Sequence, residues 1–179
     1  MKCTDFLMQE HKIILRGLDI LDHMADRVEH NQPVPAEDIE TILRFLRLFA
    51  DDYHQLKEES ALFPELRRTS TGNREPLRRM TFEHDQERSL VEGLEDALRT
   101  KRGMEFAHFA RRLTELIRTH IRKEDNIVFP IAEQCLSKEQ DERVTAELRQ
   151  FQISTDFLAD LHRLEWTYLR RTACSTRTA

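Results

Sequence analysis

The chain has few of the residues that form tight turns or disulfide frameworks. Its 179 residues include only 4 Gly and 5 Pro, which argues against an all-β fold with many tight turns. The three cysteines, Cys3, Cys135 and Cys174, lie far apart in the sequence and form no CxxC pair. Neither a disulfide framework nor a cysteine-rich zinc site is therefore expected, and isolated thiols of this kind favour a reducing compartment.

Long apolar runs and an excess of positive charge are also missing from the sequence. No stretch approaches the roughly 18 apolar residues that a membrane span needs, and the N-terminus, MKCTDFLMQEHK, becomes charged before any apolar run develops. We therefore expect no signal peptide and a cytoplasmic location. With 33 acidic residues, 28 basic residues and a formal net charge of −5, the protein is predicted to bind neither nucleic acid nor membranes.

The sequence does contain a strong helical periodicity. Apolar residues recur at helical spacing almost throughout and no segment alternates like a strand, so four amphipathic helices are predicted. The three breaks between them fall at NQPVP, TSTGNREP and KRG. Pro64 predicts a kink or a break near the end of the second helix. A fifth helix is predicted from Ser137, an N-cap with Gln140 three residues later, to about Arg171.

These helices predict an all-α fold, an up-down-up-down four-helix bundle with an additional C-terminal helix. We assign residues 1–135 to the bundle and residues 136–172 to the C-terminal helix, which packs on the bundle or forms a dimer interface. Residues 173–179 are predicted to be a frayed tail. The protein is accordingly expected to be a monomer or a homodimer.

An internal repeat is the most specific signal in the sequence. The segments HQLKEESALFP, residues 54–64, and HIRKEDNIVFP, residues 120–130, share the pattern H-x-x-K-E-x-x-x-x-F-P. Within each copy the histidine and the glutamate are four residues apart, so they share one face of a helix, and this face is the apolar stripe. A weaker echo, an adjacent Glu-His pair near the start of the first and third helices, occurs at Glu10-His11 and Glu83-His84. The chain therefore resembles two copies of one helical hairpin.

The positions of the predicted turns place the four histidines at one level. The midpoint of His11 and His54 falls within NQPVP, that of His54 and His84 falls at the start of TSTGNREP, and that of His84 and His120 falls within KRG. In an antiparallel hairpin, residues equidistant from the turn lie at the same height. We therefore expect the four imidazoles to meet in one layer of the bundle.

Two glutamates in the same apolar stripes indicate that this layer binds a cation. An unpaired buried carboxylate costs several kcal/mol, and no lysine is predicted inside the bundle to neutralise Glu58 and Glu124. Imidazole with carboxylate suits Fe, Mn or Zn better than Ca or Mg. Two carboxylates that can bridge, with two histidines for each metal, suit a dinuclear centre with room for an oxo or hydroxo bridge and open sites. The predicted metal ligands are His11, His54, Glu58, His84, His120 and Glu124.

These residues resemble the ligand set of the hemerythrin-like (HHE cation-binding) domains. The resemblance covers roughly residues 5–135, and the LFP and VFP segments that follow the two H-x-x-x-E pairs strengthen it. It implies a four-helix bundle that holds a non-haem di-iron site, and it favours two iron ions over Mn or Zn. It also implies a small partner, namely dioxygen, nitric oxide, peroxide or iron itself.

Compared with the oxygen-carrying hemerythrins, the sequence departs at one position and offers a choice of ligand at another. Those proteins have a second histidine four residues after the third-helix histidine, where this chain has Arg88, and an aspartate five residues after the last histidine, where it has Asp125. We predict Glu124 as the ligand and Asp125 as the alternative. Arg88 is predicted to steady a bound anion or to pair with Glu87, and Glu87 could itself approach the metal. The missing imidazole leaves one iron with an open position, which favours sensing, peroxide or NO chemistry, or labile iron binding over reversible oxygen carriage.

Three functions remain open on the sequence alone. The first is a binding module, a non-haem di-iron protein that binds or senses O₂, NO or iron. The second is an enzyme, an oxidoreductase that removes peroxide or NO at the same site, for which no catalytic residue is assigned. The third is a structural bundle with no metal or with one adventitious zinc. Ferritin-like di-iron oxidases use E-x-x-H pairs, and the order H-x-x-x-E in this chain disfavours them.

Overall fold

A computed structural model describes residues 1–69 and 74–169 of the chain, and within these ranges it contains six helices and no strand. Helix α1 spans Cys3–Glu29. Helix α2 consists of the successive segments Ala36–Phe45, Leu46–Gln55, Glu58–Leu62 and Phe63–Thr69. Helix α3 spans Arg74–Arg99. Helix α4 consists of Gly103–Lys123, Glu124–Val128 and Phe129–Cys135. Helices α5 and α6 span Lys138–Leu148 and Asp156–Tyr168. None of the helices in the described ranges combines the length and the apolar character that crossing a bilayer requires.

Helices α1 to α4 form the predicted bundle, in which α1 and α3 each pack against both α2 and α4. The core of this bundle consists of two apolar clusters. The first includes Leu18, Phe49, Leu94 and Leu113, and the second includes Leu7, Leu62, Met80 and Phe129. Along α1 and α3 the second cluster comes before the first, whereas along α2 and α4 it comes after the first. The helices therefore alternate in direction, which confirms the all-α, up-down-up-down fold class.

The connections after α1 and α3 confirm the predicted breaks at NQPVP and KRG. Asn31 and Lys101 have left-handed backbone conformations, with φ of 56° and 57°. In each case the next amide donates to the carbonyl five residues back, over 2.7 Å after α1 and 2.9 Å after α3. This is the Schellman arrangement, which caps the last carbonyls of a helix. The predicted loop TSTGNREP lies largely outside the described residues, and its last three residues begin α3.

Helix α2 is π-helical both before and within the first copy of the internal repeat, and α4 is π-helical within the second copy. The π-helical segments are Leu46–Gln55 and Glu58–Leu62 in α2 and Glu124–Val128 in α4. Such wider turns are rare and are frequent at functional sites. A proline has no N–H and its ring clashes with a carbonyl in the preceding turn, and in both copies the wider turn directly precedes Phe-Pro. The sequence predicted a kink or a break at Pro64. The break is absent, because α2 continues through this residue to Thr69.

The C-terminal region contains two helices, whereas the sequence predicted one. The N-cap at Ser137 is confirmed, since its Oγ accepts from the Gln140 amide and the Gln140 side chain accepts from the Ser137 amide. The helix then ends at Leu148 and a new one begins at Asp156. Leu148 and Phe157 are nine residues apart, which would put them on opposite faces of one continuous α-helix. The break lets both side chains face the bundle. The predicted end at Arg171 and the predicted tail, residues 173–179, lie outside the described residues.

Helix α6 packs on α1 and α2, and an ionic contact holds its end. The Tyr168 hydroxyl donates to one oxygen of the buried Asp38 carboxylate (2.7 Å), and Arg163 donates to the other (2.7 Å). A hydrogen bond to a charged group contributes roughly 1.5–3 kcal/mol. We expect Tyr168→Phe to lower the free energy of unfolding by about 2 kcal/mol, measured by urea denaturation. The control is Tyr53→Phe, because Tyr53 contacts Lys57 through the face of its ring, which phenylalanine retains. Equal losses in the two variants would contradict this role of Tyr168.

Candidate metal centre

All six predicted ligands lie in a single buried layer between the two apolar clusters. None of them is more than 3% exposed, and each of the four bundle helices contributes a histidine. They form two groups of four potential ligands, and within each group one nitrogen or oxygen atom per residue lies within 4.8 Å of the others. The first position consists of His11, His54, Glu58 and Glu124, and the second position consists of Glu58, His84, His120 and Glu124.

The two glutamates belong to both positions because each turns its two oxygens toward different histidines. Glu58 places Oε1 at 3.6 Å from His54 Nε2 and Oε2 at 3.4 Å from His84 Nε2. Glu124 places Oε2 at 3.2 Å from His11 Nε2 and Oε1 at 3.1 Å from His120 Nε2. Each position therefore faces two imidazole nitrogens and one oxygen from each carboxylate. This arrangement can hold two cations with the carboxylates between them.

A second set of carboxylates contacts the outer nitrogen, Nδ1, of each of the four histidines in the layer. The pairs are His11–Asp125 (2.7 Å), His54–Glu10 (2.9 Å), His84–Glu59 (2.6 Å) and His120–Glu83 (2.9 Å). A carboxylate that accepts from Nδ1–H fixes the tautomer and the ring orientation of a ligating histidine and makes its Nε2 more basic. The four imidazoles therefore point Nε2 into the layer.

The outer carboxylates explain the rest of the internal repeat. The glutamate before the first histidine of each hairpin, Glu10 or Glu83, binds the second histidine of the same hairpin. The acidic residue after each inner glutamate, Glu59 or Asp125, binds a histidine of the other hairpin. The repeat lysines complete the pattern, because Lys57 donates to Glu10 (2.6 Å) and Lys123 donates to Glu83. The two copies are thus joined across the layer by their own acidic residues.

The hydrogen bonding of the layer fits a metal better than it fits a closed network. Within the described residues, no oxygen of Glu58 or Glu124 has a hydrogen-bond partner, and His11 Nε2 has none either. His84 Nε2 and His120 Nε2 face each other at 3.0 Å. With Nδ1–H donated outward, a neutral imidazole presents a lone pair on Nε2, so the two rings repel at this distance unless a cation or a proton lies between them. Buried polar atoms are normally satisfied, and cations at the two positions would satisfy all of these.

The charges around the layer attract positive charge into it. Burial on its own would lower the pKa of His11, but its hydrogen bond with Asp125 and the nearby carboxylate of Glu124 outweigh burial and raise the pKa to about 10. The pKa of His84 is likewise raised to about 9, because the carboxylates of Glu58 and Glu59 outweigh its burial. The metal-free protein therefore holds protons where a metal ion would otherwise supply the positive charge.

This proton binding predicts how the stability of the metal-free protein depends on pH. The pKa values of His11 and His84 in the folded state lie above the ordinary value of 6.5. Their contribution to stability is therefore complete below about pH 6.5 and is lost as the pH rises through about 9 to 10. We expect the free energy of unfolding in the presence of a chelator to fall across this range, measured by urea denaturation at several pH values. A free energy that stays level or rises across it would contradict the assigned ion pairs.

Three residues near the layer occupy places that the sequence did not specify. Asp125 holds the outer nitrogen of His11, so it belongs to neither position. Arg88 does not pair with Glu87, since it donates to Glu59 (2.9 Å) and to two other acidic side chains. Glu87 is buried and accepts from Gln55 (2.5 Å), and one of its oxygens lies 3.9 Å from His120 Nδ1. Burial raises the pKa of Glu87.

Removing one outer carboxylate should weaken metal binding without abolishing it. Loss of such a partner typically costs 10–100-fold in metal affinity. We expect Asp125→Asn to weaken binding at the first position by about this factor, measured by metal titration with a competing chelator. Asp52→Asn, an exposed aspartate on α2, is the control and should bind as the unmodified protein does. Complete loss of the metal would instead identify Asp125 as a ligand.

Comparison with known proteins agrees with this geometry. The sequence pattern of the hemerythrin HHE cation binding domain matches residues 3–132, a range that includes all six residues of the layer. No curated protein and no solved structure matches the chain. The resemblance that the repeat indicated is confirmed, and with it a cation-binding domain whose His/Glu groups could hold metal ions. The chain belongs to the hemerythrin HHE cation-binding domain family.

Proposed function

We propose that this protein is a non-haem di-iron protein that binds or senses O₂, NO or iron. The observation that carries the proposal is the placement of Glu58 and Glu124, each with one oxygen toward each pair of histidines. His11 and His54 would hold one iron, His84 and His120 the other, and both glutamates would contact both ions. The donor set also suits Mn or Zn, and membership of the family favours iron.

The number of protein ligands supports an exchangeable partner at the centre. Each position faces four donor atoms, two imidazole nitrogens and two carboxylate oxygens. An octahedral ion has about six coordination positions, so about two per ion are left for solvent, a bridging group or an external ligand. A bound iron pair would supply the capacity to exchange electrons with that ligand. The chain supplies the positions and the orientation of every donor.

The surroundings of the layer favour a small and neutral external ligand. The ring of Phe129 stacks on His11 with centroids 5.4 Å apart, and the ring of Phe63 stacks on His84 at 6.0 Å. Both phenylalanines belong to the apolar cluster on one side of the layer, and the other apolar cluster covers the opposite side of the layer. This packing keeps bulk water from the ligands. We further propose a small diatomic molecule or peroxide as the partner, and a cytoplasmic monomer or homodimer that contacts neither nucleic acid nor membranes.

Metal analysis with optical spectroscopy tests the proposal. We expect protein loaded with iron in air to contain about two irons per chain and to show an oxo-to-iron charge-transfer band. After reduction, which removes this band, the addition of NO should produce a new absorption band. Glu92→Gln, an exposed glutamate on α3, is the control and should behave identically. Fewer than one iron per chain with no such band would contradict the proposal. Turnover of peroxide or NO above that of free iron, and lost in Glu58→Ala, would show an enzyme instead.

A further inference from the structure

A small cavity lies beside the second position, between α2, α3 and α4. Its volume is about 20 Å³, and it is lined by both apolar and charged side chains. The apolar ones are Leu46, Ala50, Val91 and Ile117, and the charged ones at its border are Arg47, Asp51 and Arg88. Its inner end is formed by Gln55 and Glu87, and Glu87 lies 3.9 Å from His120 Nδ1. The cavity therefore ends against the metal layer.

The inner end of the cavity carries two hydrogen-bond acceptors without donors. Gln55 and Glu87 are 6% and 3% exposed, and the Gln55 amide nitrogen donates to Glu87 Oε2. The remaining oxygens, Gln55 Oε1 and Glu87 Oε1, have no hydrogen-bond partner in the described part of the chain. Buried oxygens of this kind are normally paired, and leaving them unsatisfied destabilises the folded protein. Two acceptors at the end of this cavity call for a guest that donates hydrogen bonds.

The size and charge of the cavity limit the identity of that guest. About 10–15 Å³ of such space holds one water, so a cavity of about 20 Å³ admits one or two heavy atoms. The arginines that border it are already paired, Arg47 with Glu95 (2.8 Å) and Arg88 with Asp51 (2.8 Å). Neither arginine leaves a free positive charge to attract an anion, and O₂ and NO donate no hydrogen bonds.

We propose that this cavity, the Glu87 pocket, binds a neutral hydrogen-bond donor of one or two heavy atoms, which is water at rest and hydrogen peroxide as the reactive guest. Glu87 Oε1 and Gln55 Oε1 accept hydrogen bonds from the O–H groups of the guest and hold it beside His120, a proposed ligand of the second position. The inference rests on the proposed function for the role of the pocket at the metal centre. It assigns hydrogen peroxide, rather than O₂ or NO, to the Glu87 pocket.

Filling the pocket tests this assignment. Ala50 lines the pocket on α2 and is buried, whereas Ala36 is exposed on the same helix. Ala50→Leu should close the pocket, and Ala36→Leu is the matched control. With iron loaded, we expect Ala50→Leu to slow the reaction of the reduced protein with hydrogen peroxide by about tenfold or more, as in other cases where access or positioning is lost. The iron content and the rate of NO binding should not change.

A second measurement keeps the test independent of iron. High-resolution crystal structures of the metal-free protein should show an ordered molecule within hydrogen-bond distance of Gln55 Oε1 and Glu87 Oε1, and no such molecule in Ala50→Leu. An empty pocket in the unmodified protein would overturn the inference, as would equal slowing of the peroxide and NO reactions in Ala50→Leu. If the protein fails to load iron while the pocket is occupied, the proposed function fails and the binding site stands.

Discussion

Replacing either Glu58 or Glu124 with glutamine should empty both metal positions, whereas replacing one histidine should empty only one. Each glutamate turns an oxygen toward both pairs of histidines, so a single change removes a donor from both positions. Each histidine turns its Nε2 toward one position only. Loss of a glutamate should therefore leave fewer ions bound than loss of a histidine.

The substitution to glutamine separates charge from shape. Glutamine keeps the size of the side chain but loses the negative charge and one acceptor oxygen. The two buried carboxylates supply the inner negative charge of the layer, so each substitution leaves both positions with one anionic ligand fewer. A cation bound by two imidazoles and one carboxylate is held much more weakly than one bound by two of each.

Metal content after dialysis measures the outcome directly. We expect about two ions per chain in the unmodified protein, about one in His11→Ala and in His84→Ala, and fewer than about one in Glu58→Gln and in Glu124→Gln. Circular dichroism checks that every variant keeps its helices, and Glu92→Gln controls for the loss of an exposed carboxylate. Two ions retained in Glu58→Gln, or the same loss in the histidine and glutamate variants, would contradict the shared-ligand geometry.

The positions of the six candidate ligands in one layer could be predicted from the sequence because each depends on local rules. A spacing of four residues puts His54 and Glu58 on one helix face, and the turn positions fix the height of each histidine along its helix. Both rules operate within one helix or one hairpin. The fold class followed from the same periodicity, which does not require knowledge of which helix faces which across the bundle.

The outer carboxylates could not be assigned in this way. Glu59 and Asp125 directly follow the inner glutamates, and adjacent residues on a helix point about 100° apart. Their partners, His84 and His11, lie on other helices, so the pairing depends on the packing of helices rather than on a pattern within one. The adjacent Glu-His pairs and the K-E-[ED] segment of the repeat were visible, but spacing alone did not show which nitrogen each acidic residue would meet.

The C-terminal region and the π-helical turns were missed for a different physical reason. Apart from the kink or break at Pro64, both regions were predicted with a regular helical period. Leu148 and Phe157 each follow a helical pattern, but nine residues separate them and the two patterns are out of phase by half a turn. In α2, the wider turns before Phe63 change the period locally. Breaks and widened turns of this kind are set by packing onto the bundle, which a single helical pattern does not report.

Removing the metal should lower the melting temperature by more than about ten degrees. An ion that binds only the folded protein stabilises it by about 4 kcal/mol when its free concentration is a thousand times its Kd, and the layer offers two positions. For a chain of this size, 1 kcal/mol corresponds to roughly 2–4 °C in melting temperature. Two tightly bound ions therefore contribute roughly 15–30 °C.

The metal-free protein should nevertheless remain folded at room temperature. The histidines that lose the metal take up protons, because their carboxylate partners raise the pKa of His11 to about 10 and that of His84 to about 9. The two apolar clusters on either side of the layer contain none of the six candidate ligands, so their packing should hold the helices together without the metal. A chelator is therefore expected to shift the thermal transition without changing the helix content below it.

Thermal melts with and without a strong chelator distinguish a metal centre from a structural bundle. The double variant Glu58→Gln, Glu124→Gln has lost the carboxylates of both positions, so its melting temperature should be the same with and without the chelator. This variant controls for effects of the chelator that do not involve the layer. A melting temperature of the unmodified, iron-loaded protein that the chelator leaves unchanged would contradict the metal centre, because ions that contribute no stability cannot be bound specifically by the folded protein.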